Sequence, residues 1–283
     1  MNKISFQNTE LPEIGFGTWC IGDNPEKKEM EKEAIRTAVE EYGMTLIDTA
    51  EMYGLGKSEA VVGEVIKELD RENIFVVDKI LPENAYKGNF EKHVRKSLEL
   101  MNCEYFDLYL LHWRANVNLQ DMVDEMEALV EKGLIRHWGV SNFDVADMEE
   151  LFQCKNGTNC YANQFLYNMY LRGVEYDLLP WCIEHDVLPM IYSPLGDTRE
   201  KQLELLEIPE IKQLCEKKEI AITNLMLRFV IRNHDVVTLF KTSSIAHLEE
   251  NLKGLEEGLT EEDKQVIDAV FPSPDRKMPL EKI

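Results

Sequence analysis

Residues 106–141, FDLYLLHWRANVNLQDMVDEMEALVEKGLIRHWGVS, contain the pattern that decides the fold. Phe106 to His112 and Ile135 to Ser141 are apolar runs short enough to be buried strands, and Leu119 to Glu131 between them has the length and amphipathic spacing of a helix. A strand, a helix and a second strand in this order predict two parallel strands joined by a right-handed crossover. The carboxyl ends of such strands lie at the same edge of a sheet.

The same alternation extends along the chain. The predicted strands run over residues 14–18, 45–48, 74–79, 106–112, 135–141, 161–164, 187–193 and 236–241. The predicted helices run over residues 29–42, 58–69, 89–101, 119–131, 145–152, 176–185, 208–218 and 222–230, with two more over 246–255 and 260–270. Asn89 is expected to cap the helix that it begins. Eight strands in 283 residues predict an α/β fold: a single (β/α)8 TIM-barrel domain over residues 1–283, with an N-terminal β-hairpin and additional C-terminal helices.

An open, doubly wound sheet is the competing architecture, and it requires a glycine-rich turn after an early strand. Residues 15–20, GFGTWC, have the first two glycines of the dinucleotide-binding pattern GxGxxG and lack the third. Residues 56–58, Gly-Lys-Ser, imitate the end of a P-loop, but Glu51 stands where that loop needs its first glycine. The missing third glycine favours the closed barrel, and residues 56–58 are interpreted as a turn before a helix.

The charge of the chain limits its partners. Asp and Glu number 53 and Lys and Arg 31, so the formal net charge is −22. A protein this acidic repels phosphate backbones and anionic lipid surfaces, which argues against general nucleic-acid or membrane binding. An anionic ligand must therefore be held by a few local cations and backbone N–H groups. We expect a small-molecule partner, and a monomer rather than an obligate oligomer.

The cysteines are scattered, and the N-terminus lacks the features of a secretion signal. The six cysteines form no CxxC pair, and no window approaches the ~20 apolar residues of a membrane span. These features predict reduced thiols and a cytoplasmic enzyme. The histidines show neither HxH nor HExxH spacing, so we predict no metal site.

Polar residues stand at the ends of four consecutive predicted strands. Leu46-Ile47 runs into Asp48, the next strand ends in Asp78-Lys79, the following one in His112, and the fourth in Ser141-Asn142. Tyr53 comes five residues after Asp48, in the loop that follows its strand. Since barrel enzymes place their chemistry at the carboxyl ends of the strands, these side chains are the candidates for an active site.

Tyr53, Lys79, Asp48 and His112 together suit a site that donates a proton. A phenol has a reference pKa of ~10, so it is a weak acid near neutrality. A neighbouring ammonium is expected to lower that pKa, and a carboxylate keeps the buried lysine charged. A neutral histidine N–H can then orient a substrate oxygen. An alternative interpretation makes Asp48 and Lys79 only a structural ion pair.

The order and spacing of these residues resemble the aldo-keto reductases. The resemblance rests on residues 48–54 (DTAEMYG), Ser58-Glu59 with Gly63, Lys79, residues 110–113 (LLHW), residues 139–143 (GVSNF), Asn163-Gln164, residues 192–196 (YSPLG), Lys241 and Glu250-Asn251. It covers nearly the whole chain. Residues 172–182, RGVEYDLLPWC, are similar to bacterial members of the methylglyoxal reductase type.

The resemblance implies reduction of small aldehydes and ketones to alcohols by hydride from NADPH. Tyr53 would be the general acid, tuned by Lys79 and Asp48, and His112 would orient the carbonyl. Tyr192 would stack on the nicotinamide, while Ser141, Asn142 and Gln164 would bind its carboxamide. The other cofactor contacts that it implies are Gly17, Thr18, Ser193, Leu195, Lys241, Thr242, His247, Glu250 and Asn251.

The resemblance also identifies a departure from the family pattern and a substrate wall. His247 stands where relatives often carry an arginine near the 2′-phosphate, and histidine is a weaker, titratable cation. NADP(H) is therefore expected as cofactor, with NADH as the weaker alternative. Trp19 and Trp113 match aromatic residues that line the substrate pocket, although either could be a core aromatic.

Two other functions remain open at this point. The same fold could serve as a nicotinamide-binding regulatory or non-catalytic subunit. It could also be a lyase or isomerase that uses the barrel mouth without nicotinamide. Turnover of aldehydes distinguishes a reductase from the first of these. A change in NADPH fluorescence on mixing distinguishes a reductase from the second.

Overall fold

A computed structural model describes residues 1–196 and 198–282. These residues form ten strands: β1 (Lys3–Phe6), β2 (Thr9–Pro12), β3 (Ile14–Gly17), β4 (Leu46–Asp48), β5 (Phe75–Ile80), β6 (Phe106–Leu111), β7 (Ile135–Ser141), β8 (Ala162–Leu166), β9 (Leu188–Tyr192) and β10 (Val237–Phe240). All eight predicted barrel strands are therefore present, within a few residues of their predicted bounds.

The same residues form eleven α-helices: α1 (Lys28–Glu40), α2 (Lys57–Ile66), α3 (Phe90–Met101), α4 (Leu119–Glu131), α5 (Val145–Gln153), α6 (Leu178–Glu184), α7 (Arg199–Leu206), α8 (Pro209–Lys218), α9 (Ile222–Val230), α10 (Ile245–Leu252) and α11 (Glu261–Val270). Ten of them match predicted helices. The helix α7 was not predicted, because its apolar residues do not form a stripe and only Leu205 is buried.

Strands β3 to β10 close into a parallel barrel in the order β10-β3-β4-β5-β6-β7-β8-β9. The predicted fold class is confirmed. Parallel pairing sets Gly17 beside Asp48, Lys79 beside Leu110, and Ser141 beside Gln164. The carboxyl ends of neighbouring strands are therefore level at one mouth of the barrel.

The barrel has two separate apolar cores, one inside the ring of strands and one between the strands and the helices. Leu46, Val77, Leu108 and Met190 belong to the inner core, and all four are fully or almost fully buried. The larger outer core lies between strands and helices. The strands therefore bury both faces, which explains why their sequences are continuous apolar runs.

The N-terminal hairpin closes the opposite end of the barrel. Strands β1 and β2 pair antiparallel, as the sequence predicts, and Leu11 belongs to the inner core. Ile4 and Phe6 pack against the same core, and the Phe6 ring meets the edge of Tyr161 at 5.0 Å. Since the hairpin immediately precedes β3, it covers the amino ends of the strands.

Helices α2 and α3 pack closely at Gly63. A Cβ atom at Gly63 would lie 2.6 Å from Met101 Cα and 2.7 Å from the Leu100 carbonyl oxygen. Only glycine permits this approach. The prediction that Asn89 caps α3 is wrong: its backbone is right-handed helical (φ −112°, ψ −20°) and its side-chain oxygen accepts no cap hydrogen bond. Its amide nitrogen donates to the Asn84 carbonyl oxygen at 2.8 Å. That bond fixes the loop between β5 and α3.

The residues after α11 lie against the loop between β8 and α6. The Arg172 guanidinium in this loop donates to the Phe271 carbonyl oxygen and forms an ion pair with Asp268 at 2.7 Å. Lys277 pairs with Asp177 at 3.2 Å. Within the described residues, no helix is long and apolar enough to cross a membrane.

Candidate active site

Neighbouring strands carry the polar residues of the barrel mouth. Asp48 is the last residue of β4, Lys79 is the penultimate residue of β5, and His112 directly follows β6. Tyr53 begins a short 3-10 turn in the loop after β4. Because the strand ends are level, these four residues from separate stretches of the chain lie at one mouth.

Lys79 joins Asp48 to Tyr53. Its ammonium donates to Asp48 Oδ1 at 2.6 Å, to the Thr49 carbonyl oxygen at 2.7 Å and to the Tyr53 hydroxyl at 3.3 Å. The rings of Tyr53 and His112 are 5.9 Å apart and nearly perpendicular. All four side chains are buried. The structure therefore brings together the four residues that the sequence selected.

Lys79 is charged despite complete burial. Burial alone lowers the pKa of an ammonium, but the Asp48 carboxylate, the Tyr53 hydroxyl and the hydrogen bonds to both outweigh it, so the pKa is raised. Asp48 is itself fixed from the other side, since the Gln164 amide donates to its Oδ2 at 2.8 Å. The site thus contains a permanent cation directed at the phenol.

The Tyr53 phenol is a weaker acid than free tyrosine. Burial raises its pKa, and the charge of Asp48 adds to this, while the neighbouring Lys79 ammonium opposes both. The Lys79 ammonium lowers the pKa, as the sequence predicts, but desolvation of the phenolate is the larger effect and the resulting pKa is raised. The phenol keeps its proton throughout the neutral range.

His112 is neutral at physiological pH. Burial and the nearby Lys79 charge lower its pKa to about 3. Its Nδ1 is buried and has no hydrogen-bond partner among residues 1–196 and 198–282. A neutral imidazole beside a protonated phenol can offer one N–H to an oxygen atom at the barrel mouth.

A second cluster of polar residues lies at the same mouth, at the carboxyl ends of β7, β8 and β9. Ser141 donates to the Gln164 carbonyl oxygen at 2.8 Å, and the Asn142 amide donates to the His112 carbonyl oxygen at 3.2 Å. The Tyr192 hydroxyl donates to Asn142 Oδ1 at 2.7 Å. These predicted cofactor residues therefore lie next to the four described above.

The loops after β9 and β10, together with α10, contain further predicted cofactor residues. Ser193 has a left-handed backbone (φ 52°) and precedes Leu195 in the loop after β9. Lys241 and Thr242 follow β10 directly, and Lys241 forms no ion pair within the described part of the chain. Three further residues lie on α10, of which Asn251 is buried and two are exposed: His247 and Glu250.

The residues after β3 and β6 complete the mouth. Gly17 ends β3, and the Thr18 hydroxyl donates to the Asp48 carbonyl oxygen at 2.9 Å. The Trp19 ring is 54% exposed and meets the Tyr53 ring edge-on at 4.9 Å. The Trp113 ring is 5.0 Å from the His112 ring and lines a groove of about 540 Å³. Two aromatic rings thus flank the phenol and the imidazole.

The described residues contain no cluster of three or more His, Cys, Asp or Glu side chains suited to a metal ion.

A comparison with known families now assigns the chain. The sequence model of the Aldo/keto reductase family matches residues 13–271, almost the whole chain. The chain belongs to the aldo/keto reductase family. The resemblance found in the sequence is confirmed, and this aldo/keto reductase is an oxidoreductase of carbonyl compounds.

Individual relatives of this aldo/keto reductase match over nearly their full length. Methylglyoxal reductase YeaE of Escherichia coli (strain K12) is 39% identical and covers 98% of this chain and 96% of its own. Glyoxal reductase of Bacillus subtilis (strain 168) is 32% identical, with 94% and 93% covered. A crystal structure of an aldo-keto reductase from Klebsiella pneumoniae in complex with NADPH is 38% identical, covers 100% of both chains and has a TM-score of 0.94.

The sequence analysis missed two residues beside the site of this aldo/keto reductase. Glu51 lies two residues before Tyr53, and its carboxylate is 2.7 Å from His93 Nδ1 on α3. The only signal in the sequence is an acidic residue within the stretch from Asp48 to Tyr53, and the sequence contains no signal that pairs it with His93.

Proposed function

We propose that this aldo/keto reductase reduces small aldehydes and ketones, including methylglyoxal, with NADPH, and that Tyr53 is the general acid. The observation that carries the proposal is the buried Lys79 ammonium, which bonds both Asp48 and the Tyr53 hydroxyl. NADPH supplies the hydride when bound. Names of close relatives, methylglyoxal reductase and glyoxal reductase, support the substrate class.

The residues around the mouth fit a nicotinamide dinucleotide phosphate. Lys241 is a cation with no acidic partner among the described residues, and it stands just before the N-terminus of α10. Free N–H groups at a helix N-terminus and a lysine together suit a phosphate. Amide and hydroxyl groups of Asn142 and Ser141 suit a carboxamide. We assign these residues to the cofactor, with the exposed His247 near the 2′-phosphate.

Each catalytic side chain has one task in this scheme. The Tyr53 hydroxyl gives its proton to the carbonyl oxygen as the carbonyl carbon receives the hydride, and the product is an alcohol. Lys79 stabilises the phenolate that remains, and Asp48 keeps Lys79 charged and in place. Neutral His112 donates an N–H to the same carbonyl oxygen and orients it. Trp19 and Trp113 form the apolar walls around a small substrate.

Substitution of the phenol tests the proposal. Tyr53→Phe removes only the hydroxyl, so we expect kcat for methylglyoxal to fall by about 10²- to 10⁴-fold, which is the usual contribution of a general acid. The dissociation constant for NADPH, measured by fluorescence titration, should change less than about threefold, since the cofactor lies against other residues.

Two outcomes would contradict the proposal. Wild-type turnover by Tyr53→Phe would exclude the phenol as the acid. NADPH binding without turnover of any aldehyde by the wild-type protein would favour a non-catalytic nicotinamide-binding protein.

A further inference from the structure

The loop that carries Tyr53 leaves β4 while it is still hydrogen-bonded to β5. The Thr49 N–H donates to the Val77 carbonyl oxygen at 2.9 Å, and the Glu51 N–H donates to the Lys79 carbonyl oxygen at 3.2 Å. These bonds continue the spacing of a parallel ladder. The chain then turns away from β5 toward Tyr53, so the N–H group of Leu81, which directly follows β5, has no backbone partner at the next step of the ladder.

The Glu51 side chain takes the place of that backbone partner. Its Oε1 accepts from the Leu81 N–H at 2.7 Å and from the Asn84 amide at 2.9 Å. Its Oε2 is 2.7 Å from His93 Nδ1 in the first turn of α3. The Glu51 side chain is 11% exposed and that of His93 16%. One carboxylate therefore ties the Tyr53 loop to the loop after β5 and to α3.

Residues 54–56, directly after Tyr53, have no side chain that ties the loop to a neighbouring element, and the chain is next held at Ser58, whose buried hydroxyl donates to the Thr18 hydroxyl at 2.7 Å. The backbone of Gly54, Leu55 and Gly56 is left-handed, with φ of 58°, 57° and 95°. The Leu55 side chain is 88% exposed. The Tyr53 ring packs against Trp19 and His112, while its hydroxyl has one 3.3 Å contact, with Lys79, among the described residues. Within the loop itself, the contacts of Glu51 hold the chain that leads to the phenol.

We propose that Glu51, held by His93, is a positioning residue for Tyr53. This inference rests on the proposed role of Tyr53 as the general acid. Charge-assisted hydrogen bonds are short and directional, and a carboxylate with three partners has little freedom to move. Since the phenol must lie in line with the carbonyl oxygen, a displacement of about 1 Å can cost on the order of 10²-fold in rate.

The test compares substitutions of Glu51 and His93 with a substitution in an exposed ion pair of α3. Glu51→Ala removes all three contacts, and His93→Ala removes one. Glu51→Gln keeps an acceptor for the Leu81 N–H and a group that can bond His93. Arg95→Ala breaks an exposed ion pair with Glu91 on the same helix, at 2.7 Å, and serves as the control.

The rates and isotope ratios distinguish positioning from a merely structural role. We expect kcat per folded active site for Glu51→Ala to fall by about 10- to 100-fold, with KM and NADPH affinity changed less than about threefold. The ratio of kcat in H2O to kcat in D2O should rise, because delivery of the proton becomes a larger part of the barrier. Loss of folded enzyme alone would leave this ratio unchanged. Glu51→Gln should recover most of the rate, and Arg95→Ala should match wild type.

The double variant with Tyr53→Phe separates this inference from the proposed function. Adding Glu51→Ala to Tyr53→Phe should lower the residual rate by less than about twofold, since the positioned group is gone. If Glu51→Ala does not fold, His93→Ala takes its place in the test. We then expect a smaller loss of kcat and the same rise in the ratio of kcat in H2O to kcat in D2O. A folded Glu51 or His93 alanine variant with wild-type kcat, or with an unchanged ratio, overturns the positioning role. Wild-type activity in Tyr53→Phe would instead overturn the proposed function.

Discussion

At the scale of single residues, the site combines a charged lysine with a neutral histidine in the same buried space. Lys79 is charged because Asp48 lies 2.6 Å away, whereas His112 has no carboxylate partner among the described residues and is beside a cation. Two basic side chains of one mouth thus carry different charges. This difference suits the charged Lys79 to stabilising an anion and the neutral His112 to donating a hydrogen bond.

The protonation of His112 can be measured directly. Because burial and Lys79 lower its pKa to about 3, we expect its ¹⁵N chemical shifts to report a neutral ring from pH 8 to pH 4. His112→Asn identifies the signal by its loss. The unfolded chain binds this proton near pH 6.5 and the folded protein only near 3, so this histidine lowers stability as pH falls through that window. A midpoint within one unit of 6.5 would contradict the assignment.

The identity of the polar residues at the mouth was predictable from the sequence, but their energetics were not. Asp48, Lys79 and His112 stand where apolar strands end, so a barrel fold alone places them together. The pKa of Tyr53 depends on the balance between burial and Lys79, which a sequence does not contain. The bond from Leu81 to Glu51 exists only because a ladder ends at that point in space.

At the scale of secondary structure, the contact between α2 and α3 depends on a missing side chain. Any Cβ at Gly63 would overlap backbone atoms of α3, which cannot move aside as the tip of a side chain can. Both helices flank the loop of Tyr53, since α2 follows it and α3 bears His93. The contact therefore supports the site as well as the fold.

The variant Gly63→Ala tests this contact. We expect the free energy of unfolding to fall by about 2–3 kcal/mol from overpacking, measured by urea denaturation. Gly133→Ala is the comparison, because a Cβ there meets no atom within 4 Å although φ is +69°. It should cost only about 1–2 kcal/mol, for the left-handed backbone. Equal stability of Gly63→Ala and wild type would show that the helices can separate at no cost.

Periodicity was a reliable guide to the helices where an apolar stripe faces the barrel, as in α3 and α4. It failed for α7, whose residues are mostly polar and whose helix forms beside the mouth without a buried face. It also failed for the cap of α3. An asparagine before a helix predicts a cap through its side-chain oxygen, but the Asn89 backbone is already in the right-handed helical region, and its amide nitrogen is turned toward the Asn84 carbonyl oxygen.

At the scale of the whole molecule, the net charge of −22 opposes the approach of an anionic cofactor. The candidate phosphate site offers Lys241 at close range, while the repulsion acts over the whole protein. Salt screens charges at a distance more strongly than charges in contact, with a Debye length of about 30 Å at 0.01 M and 8 Å at 0.15 M.

The association rate of NADPH should therefore rise with ionic strength. We expect an increase of about two- to fivefold between 0.01 and 0.15 M salt, measured by stopped-flow fluorescence. In Lys241→Ala the increase in the association rate should be larger, because the attraction by Lys241 no longer offsets the repulsion by the net negative charge. A rate that falls with salt would show that the local cations dominate the encounter.

The hairpin of β1 and β2 covers one end of the barrel and the inner core fills its interior, so both reactants can bind only at the mouth where the strands end. Under the proposed function the nicotinamide lies against Ser141, Asn142 and Gln164 in that mouth. We therefore expect the alcohol to leave before NADP+. Product inhibition by NADP+ should then be competitive with NADPH and not with the aldehyde.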